Sequence, residues 1–257
     1  RKSLMRKNEK IQIGELAKRY KKLADVLVIK YIDHHYTLDV LYTMRNLEKF
    51  KVILDVDDNV WQIPFGNIAR GDNKAFINRS MMMAESAKAA DYVTVSTVPL
   101  KHILEPLNEN VVVLPNLIDP KDWKFKRKKH DKVRIGWVYS QTHTPDIAEV
   151  EEALKKIYDK YKDKAEIVVF GIDYDIFDFP TVNIPSVKYT DYPKVFTEAG
   201  IDISIAPLQD NDFNKCKSNI KWLESTMAGA CFIGSKVYPY EFSVTHGKTG
   251  YIASTGG

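Results

Sequence analysis

The sequence lacks the features of secreted, membrane-spanning and disordered proteins. It has only two cysteines, Cys216 and Cys231, in 257 residues, too few for a disulfide framework, so we expect a reducing, cytoplasmic compartment. No apolar run approaches the roughly 18 residues of a transmembrane helix, and no signal peptide is visible. The hydrophobic fraction of 44% and the charged fraction of 28% are those of an ordinary globular protein, which argues against disorder.

Positive charge is in slight excess, with a formal net charge of +4. The basic residues cluster in segment 1–22 and again in segment 124–129. The simplest interpretation is solvated surface and a charged linker. The alternative is attraction to an anionic membrane face, at the membrane periphery, or to an anionic substrate. Because no basic motif rich in aromatic residues accompanies these clusters, nucleic acid is not an expected partner.

Short apolar runs alternate with longer amphipathic stretches along the chain. The runs predict eight strands, at 26–31, 51–56, 92–96, 111–114, 133–138, 166–170, 201–206 and 231–234. The amphipathic stretches predict helices at 38–49, 74–90, 98–104, 147–160, 191–199 and 218–228. Alternating strands and helices indicate βαβ units and a doubly wound parallel sheet, whose ligands bind beyond the carboxyl ends of the strands.

A break at residues 119–131 divides this pattern into two halves. The break contains Pro120 and a run of charge, and it shows no apolar periodicity. We therefore predict an α/β protein of two Rossmann-like, doubly wound domains, 1–122 and 123–257, with four predicted strands in each. Since the chain begins with Arg1 and stops at Gly257, we expect both ends to be incomplete.

Segment 213–235 carries the strongest functional pattern in the chain. It reads as a loop, a helix and then a strand, and free amides at a helix N-terminus can bind phosphate. The polar residues that point to a phosphate and a ribose in it are a capping pair, two of its lysines and an acid one to two turns into the helix: Ser218, Asn219, Lys217, Lys221 and Glu224. A carboxylate in that position is a suitable acceptor for ribose hydroxyls. The alternative is a capped amphipathic helix with a lysine-rich start.

Several pieces of the sequence, in their order along the chain, resemble glycosyltransferase family 4 and its GT-B relatives. The segment Leu-Pro-Asn-Leu-Ile-Asp is similar to the family's exit from the first domain, and Gly-Lys-Thr-Gly-Tyr-Ile is similar to its closing motif. The pieces are 114–119, 135–143, 166–171, 201–208, 217–229 and 247–252. The joint order of the pieces, more than any one of them, carries the resemblance.

The resemblance implies a retaining transferase of glycan biosynthesis that uses a nucleotide-diphosphate sugar, a hydroxyl acceptor such as a glycan or a lipid-linked sugar, and no metal or other cofactor. Glu224 matches the second acid of the family's Glu-x7-Glu pattern, and Cys216 stands in place of the first. Asn214, Lys217 or a backbone amide could substitute for that acid. The implied donor-binding and catalytic residues of this domain are Gly136, Ser140, His143, Lys217, Ser218, Asn219, Lys221 and Glu224.

A second motif, at 52–60, delivers three carboxylates after an apolar strand: Asp55, Asp57 and Asp58. It resembles the Asp-x-Asp of haloacid dehalogenase-type phosphatases, with Asp55 as nucleophile and Asp57 as general acid. It also resembles the metal-holding motif of GT-A transferases. The preferred interpretation is a strand end of a GT-B first domain, which makes Asp57 or Asp58 an acceptor-side catalytic residue.

Two further possibilities follow from the same residues. His34 and His35 come directly after a predicted strand and could line an acceptor site, although a plain turn explains them equally well. A third functional class is a catalytically degenerate module that only binds a nucleotide or a glycan, which the missing acid at Cys216 and the short first domain motivate.

Overall fold

The structure, a computed structural model, describes residues 7–30 and 35–254. It forms two compact units, of which the first is Arg1–Ile63 with Arg70–Pro115 and the second is Pro64–Ala69 with Asn116–Gly257. His34 and the basic residues at positions 1, 2 and 6 lie outside the described residues. No helix in the described part of the chain is long and apolar enough to cross a membrane.

The first unit has a four-stranded parallel sheet in the order β1-β2-β3-β4. Its strands are Val26–Ile29, Lys51–Val56, Tyr92–Val95 and Val111–Val113. Its helices α1 to α4 are Lys7–Lys21, His35–Glu48, Asn73–Ala89 and Val98–Leu104. Side chains supply the helix caps that the sequence calls for: the Asp72 carboxylate accepts from the Ala75 amide, and the Thr97 hydroxyl accepts from the Leu100 amide.

The second unit has a six-stranded parallel sheet in the order β10-β9-β8-β5-β6-β7. Strands β5 to β10 are Val133–Val138, Ala165–Gly171, Val182–Pro185, Ile203–Ala206, Cys231–Ser235 and Tyr251–Ala253. Helices α5 to α9 are Glu151–Tyr161, Tyr192–Glu198, Asp212–Lys215, Ile220–Met227 and Tyr238–Glu241. Counted within the unit, this is the strand order of a dinucleotide-binding Rossmann fold, which confirms the predicted α/β class.

All eight predicted strands form, and the prediction of one helix over 147–160 is wrong. A 3-10 segment occupies Gln141–Glu149, with Pro145 inside it, and α5 begins at Glu151. Val150 separates the two with backbone angles outside the helical region (φ −131°, ψ −14°). Strands β7 and β10 and the short helices α7 and α9 were not predicted, because runs of three or four residues carry little periodicity.

Backbone conformation explains one glycine of the second unit, and packing explains another. Gly229 adopts φ +75° directly after α8, the left-handed conformation that ends a helix at little cost in glycine. Gly136 lies within β5, where an added Cβ would stand 2.5 Å from the Ile201 side chain. The neighbouring Trp137 is fully buried in the core of this unit.

The basic segment after position 123 packs on the second unit. The Arg127 guanidinium donates to the Asp202 carboxylate at 2.6 Å, and the Lys128 ammonium lies 2.8 Å from the Glu198 carboxylate. Part of this charge is therefore paired within its own unit.

Candidate functional site

The candidate site lies at the carboxyl ends of β5 and β8 in the second unit. These two strands are neighbours in the sheet although two other strands separate them in the chain. The chain leaves them in opposite directions across the sheet, and this switch of direction opens the crevice in which doubly wound sheets bind ligands. The loop after β5 carries Ser140 and His143, and the chain after β8 leads to α7 and α8.

Two lysines bring positive charge to this crevice. The Lys221 ammonium, on the first turn of α8, donates to the carbonyl oxygen of Val138 at 2.6 Å. Part of the Lys221 residue is accessible to solvent, but its ammonium lies among protein atoms, and burial lowers its pKa to about 8, with repulsion from Lys217 as the second cause. Glu224 and Asp146 oppose this shift without cancelling it. An anion bound between the lysines would relieve the repulsion.

A buried histidine and aspartate stand beside the lysines. His143 Nδ1 lies 2.8 Å from Asp146 Oδ2. Burial lowers the pKa of His143 to about 4, and the charges of Lys221 and Lys217 add to the shift, whereas the hydrogen bond with Asp146 opposes it. The imidazole is therefore neutral at physiological pH.

Asp146 also joins the two loops of the crevice. Its Oδ1 accepts from the backbone amide of Gln209 at 2.9 Å and from Asn214 Nδ2 at 3.3 Å. The loop after β5 is thus tied to the loop after β8, and only 3% of Asp146 is exposed. Asp146 lies just after the sequence piece 135–143 and was assigned no role from the sequence; its spacing of three residues from His143 was the available signal.

Glu224 lines a cavity of about 690 Å³ on the second unit. The Tyr192 hydroxyl donates to Glu224 Oε2 at 3.0 Å, and burial raises the pKa of Glu224 despite this bond and the charge of Lys221. Residues after β4, the loop before α6 and one side of α8 complete the lining, and they include Asn116, Trp123, Tyr189, Thr190 and Ile220. Tyr192 was missed by sequence reasoning, because it lies 32 residues from its partner.

The structure corrects the predicted capping of α8. Asn219 occupies the N-cap position, but its side chain makes no capping bond; its Nδ2 donates instead to Ser243 Oγ at 2.9 Å. Ser218 Oγ accepts from Asn116 Nδ2 at 2.8 Å. The Trp222 amide donates to the carbonyl oxygen of Asn219 at 2.9 Å, so the amides of Ile220 and Lys221 are the potential anion donors at the start of α8.

Of the remaining predicted residues of this unit, one is exposed at the crevice loop and the others make structural contacts. Ser140 is exposed on the loop after β5, with its hydroxyl 2.8 Å from that of Thr142. Gly136 lies in the interior of β5, where packing against Ile201 accounts for it. The side-chain nitrogen of Asn214 donates to Asp146 and to the carbonyl oxygen of Gln209. Cys216 is buried at the end of α7. The contacts of both residues are therefore structural.

The loop that bears His143 has one further anchor that the sequence did not reveal. Asn67 is 5% exposed, and its Nδ2 donates to the carbonyl oxygen of Thr142 at 2.8 Å. Its Oδ1 accepts from the Ala69 amide at 2.9 Å. Both ends of this amide are used, so Asn67 fixes the loop from the short segment Pro64–Ala69 of the same unit.

The carboxylates of the second motif lie in the first unit, at the end of β2. Asp55 Oδ1 accepts from the hydroxyl of Thr94, on the neighbouring strand β3, at 2.6 Å. Asp57 pairs with the exposed Lys30 at 2.8 Å. Asp58 follows Asp57 and is half-buried. Over residues 7–30 and 35–254, no group of three or more His, Cys, Asp or Glu side chains is arranged to hold a metal. The structure brings His143, Lys217 and Lys221 together in the second unit. Asp57 and Asp58 lie in the first unit.

Comparisons with known proteins agree with this architecture. Solved structures with the same fold include HepE of Anabaena in complex with UDP-glucose (TM-score 0.62, 10% identity, covering 95% of this chain and 68% of that one). A Burkholderia xenovorans α,α-trehalose-phosphate synthase (UDP-forming), in complex with glucose-6-phosphate, gives a TM-score of 0.61 at 12% identity, covering 96% of this chain and 67% of that one. A Rickettsia africae glycosyltransferase gives 0.62 at 12% identity, covering 100% and 70%. No family model matches the sequence, and no curated protein matches it.

The chain therefore has the GT-B fold of these glycosyltransferases, as the sequence resemblance implied. The similarity extends over almost the whole chain and over about two thirds of each solved chain. At this level of identity the fold is what the chain shares with them.

Proposed function

We propose that this chain is a glycosyltransferase whose second unit binds a nucleotide-diphosphate sugar and whose partner substrate is a hydroxyl acceptor. The observation that carries the proposal is the closeness of two lysines, Lys217 and Lys221, beside the N-terminus of α8 at the switch point of a Rossmann sheet, where the charge of Lys217 lowers the pKa of Lys221. Fixed cations and free helix amides at such a point favour a phosphate group.

The spacing along α8 matches the two ends of a nucleoside diphosphate. Lys221 and Glu224 are three residues apart and so lie on one face of the helix, roughly 5–6 Å apart at their Cβ atoms. The diphosphate would lie by the lysines, and the adjoining ribose would reach the carboxylate of Glu224 at the mouth of the 690 Å³ cavity. That cavity is large enough for the nucleobase, and Tyr189 and Thr190 in its wall offer an aromatic face and a hydroxyl.

The same groups suit the chemistry of sugar transfer. When the bond between the sugar and the diphosphate breaks, negative charge grows on the leaving oxygen, and prearranged cations and amides stabilise that charge. Lys217, Lys221 and the start of α8 supply this stabilisation, so we propose transfer without a metal ion. Retention of configuration is proposed from the family resemblance alone. Transfer activity that survives a metal chelator would support the proposal that no metal ion is needed.

The neighbours in fold add support of a general kind. Two of them are described with UDP-glucose or as UDP-forming, and one is described with the sugar phosphate glucose-6-phosphate. We infer a nucleotide-sugar donor and a sugar or other hydroxyl acceptor for this chain. On the acceptor side we keep Asp57 and Asp58 as candidates, since they end a strand of the first unit.

A nucleotide-binding panel tests the proposal. Thermal shift and calorimetric titration with UDP, GDP and TDP should reveal stabilisation by at least one of them, because a ligand that binds only the native state raises its stability. Glu224→Gln should weaken that nucleotide about 10- to 150-fold, the range of a hydrogen bond to a charged group. Glu152→Gln is the matched control, since Glu152 is 83% exposed and pairs with Lys156. Absence of binding by all three nucleotides would exclude the proposal.

A binding module without transfer activity is the second candidate. Cys216 stands where relatives carry an acid, and it is 3% exposed at the end of α7, so it offers no carboxylate to the sugar. Nucleotide binding together with an absence of both sugar transfer and sugar-nucleotide hydrolysis, in the presence of mixed glycan acceptors, would favour this candidate.

A further inference from the structure

The inference concerns the pair His143 and Asp146 and rests on the proposed function. Oδ1 of Asp146 accepts hydrogen bonds from the Gln209 amide and from Asn214 Nδ2, and its Oδ2 lies 2.8 Å from Nδ1 of His143. A carboxylate has only acceptor oxygens, whereas an imidazole nitrogen can carry a proton. We therefore assign the proton of the 2.8 Å bond to Nδ1 of His143.

The other ring nitrogen of His143 is then an acceptor. The lysines and burial keep the ring neutral, as its low pKa shows, so Nε2 carries a lone pair and no proton. Within residues 7–30 and 35–254, Nε2 has no hydrogen-bond partner, and it is not among the buried atoms that lack one. The side chain keeps 11% of its area exposed, so Nε2 is open to solvent at the crevice.

An acceptor at this position selects the chemistry of what binds it. Phosphate oxygens are themselves acceptors, so they gain no hydrogen bond from Nε2 and are repelled by its lone pair. A hydroxyl can donate to it. The lysines that attract the diphosphate act on His143 as well. Two groups adjoin a bound diphosphate, the ribose and the transferred sugar, and the ribose is placed at Glu224. The transferred sugar is therefore the group that comes within the range of His143.

We propose that Nε2 of His143 accepts a hydrogen bond from a hydroxyl of the donor's sugar, and that Asp146 is the positioning residue that fixes the ring and its tautomer. The sequence resemblance placed His143 only among the donor-binding and catalytic residues, and this proposal gives it one contact, with the sugar. His143 then distinguishes the sugar nucleotide from the free nucleoside diphosphate.

The test compares two affinities in each variant. Calorimetry gives the dissociation constants of UDP and UDP-glucose, and of GDP and GDP-mannose, for the wild type and for His143→Asn. Asparagine keeps a donor near the place of Nδ1 for Asp146 but has no acceptor at the place of Nε2. We expect the ratio of sugar-nucleotide to diphosphate affinity to fall about 2- to 12-fold, the range of one neutral hydrogen bond, with little change for the diphosphate.

Two further variants separate a contact from a structural effect. His143→Gln carries an amide oxygen farther along its side chain, near the place of Nε2, and should restore most of the lost ratio. Asp146→Asn should lower the ratio as His143→Asn does, because an amide in that place can donate to Nδ1 and so move the proton to Nε2. An intact fold is checked for each by its unfolding transition.

The outcomes distinguish this inference from the proposed function. If no nucleotide binds the wild type, both fail. If nucleotides bind and His143→Asn leaves the ratio unchanged, or weakens the diphosphate as much as the sugar nucleotide, only this inference is overturned.

Discussion

Lys221 offers the sharpest prediction, because its role in binding conflicts with its effect on stability. Its pKa falls from 10.5 to about 8 in the folded protein, and at about 1.4 kcal/mol per unit the charged form costs about 3 kcal/mol there. Lys221→Met removes that cost and keeps an unbranched side chain, but it also removes the donor to the carbonyl oxygen of Val138, a loss of about 1–2 kcal/mol. We expect a net gain of about 1–2 kcal/mol without ligand, or about 2–8 °C in Tm.

The pH dependence of this gain identifies its cause. Between pH 8 and pH 10.5 the folded wild type binds fewer protons at this lysine than the unfolded chain does, so wild-type stability rises with pH across that window. The variant lacks this contribution. Its advantage should therefore be complete near pH 7 and should shrink as the pH rises from 8 towards 10.5, which urea unfolding at fixed pH values can measure.

Ligand binding should change in the opposite direction. A bound diphosphate offsets the charge of Lys221, so Lys221→Met should weaken UDP or GDP by about 30-fold or more, equal to at least 2 kcal/mol for a lost buried charge contact. Lys156→Met is the control: Lys156 is 74% exposed and pairs with Glu152, and its loss should alter neither stability nor affinity. A variant less stable than wild type at pH 7 that keeps its nucleotide affinity would refute the reasoning.

Two other predictions concern stability. The pKa of His143 is about 4 in the folded protein against 6.5 in the unfolded chain, so the unfolded chain binds the extra proton first. The free energy of unfolding should therefore fall by about 3 kcal/mol as the pH drops from about 6.5 to 4. His143→Asn should reduce this loss of stability at acid pH, and the exposed His102→Asn should not. Gly136→Ala should destabilise by about 1–3 kcal/mol in urea, because the new Cβ overlaps Ile201. In an Ile201→Ala background, where the side chain beside residue 136 is smaller, Gly136→Ala should cost less. An equal cost in the Ile201 and Ile201→Ala backgrounds would show that overlap is not the cause.

Local patterns in the sequence determined most of the secondary structure. Strands β2 and β5 and helix α4 have the predicted bounds, Lys51–Val56, Val133–Val138 and Val98–Leu104, because continuous apolar runs and a Thr-x-Pro start are complete signals within a few residues. The helix predicted over 147–160 failed because Val150 breaks it, and nothing in the apolar spacing shows that break. Strand β7 was missed since it is short and ends in Pro185.

The candidate site divides along the same line. The sequence alone identified Lys217, Lys221 and Glu224 as a group, since they share one helix start. Only the tertiary structure decided that Lys221 reaches Val138, 83 residues away, and that Asp146 meets Asn214, 68 residues away. Periodicity reports the burial of neighbouring residues in the chain, whereas the order of strands in the sheet, which the packing of the whole unit selects, determines which loops and which charges come together.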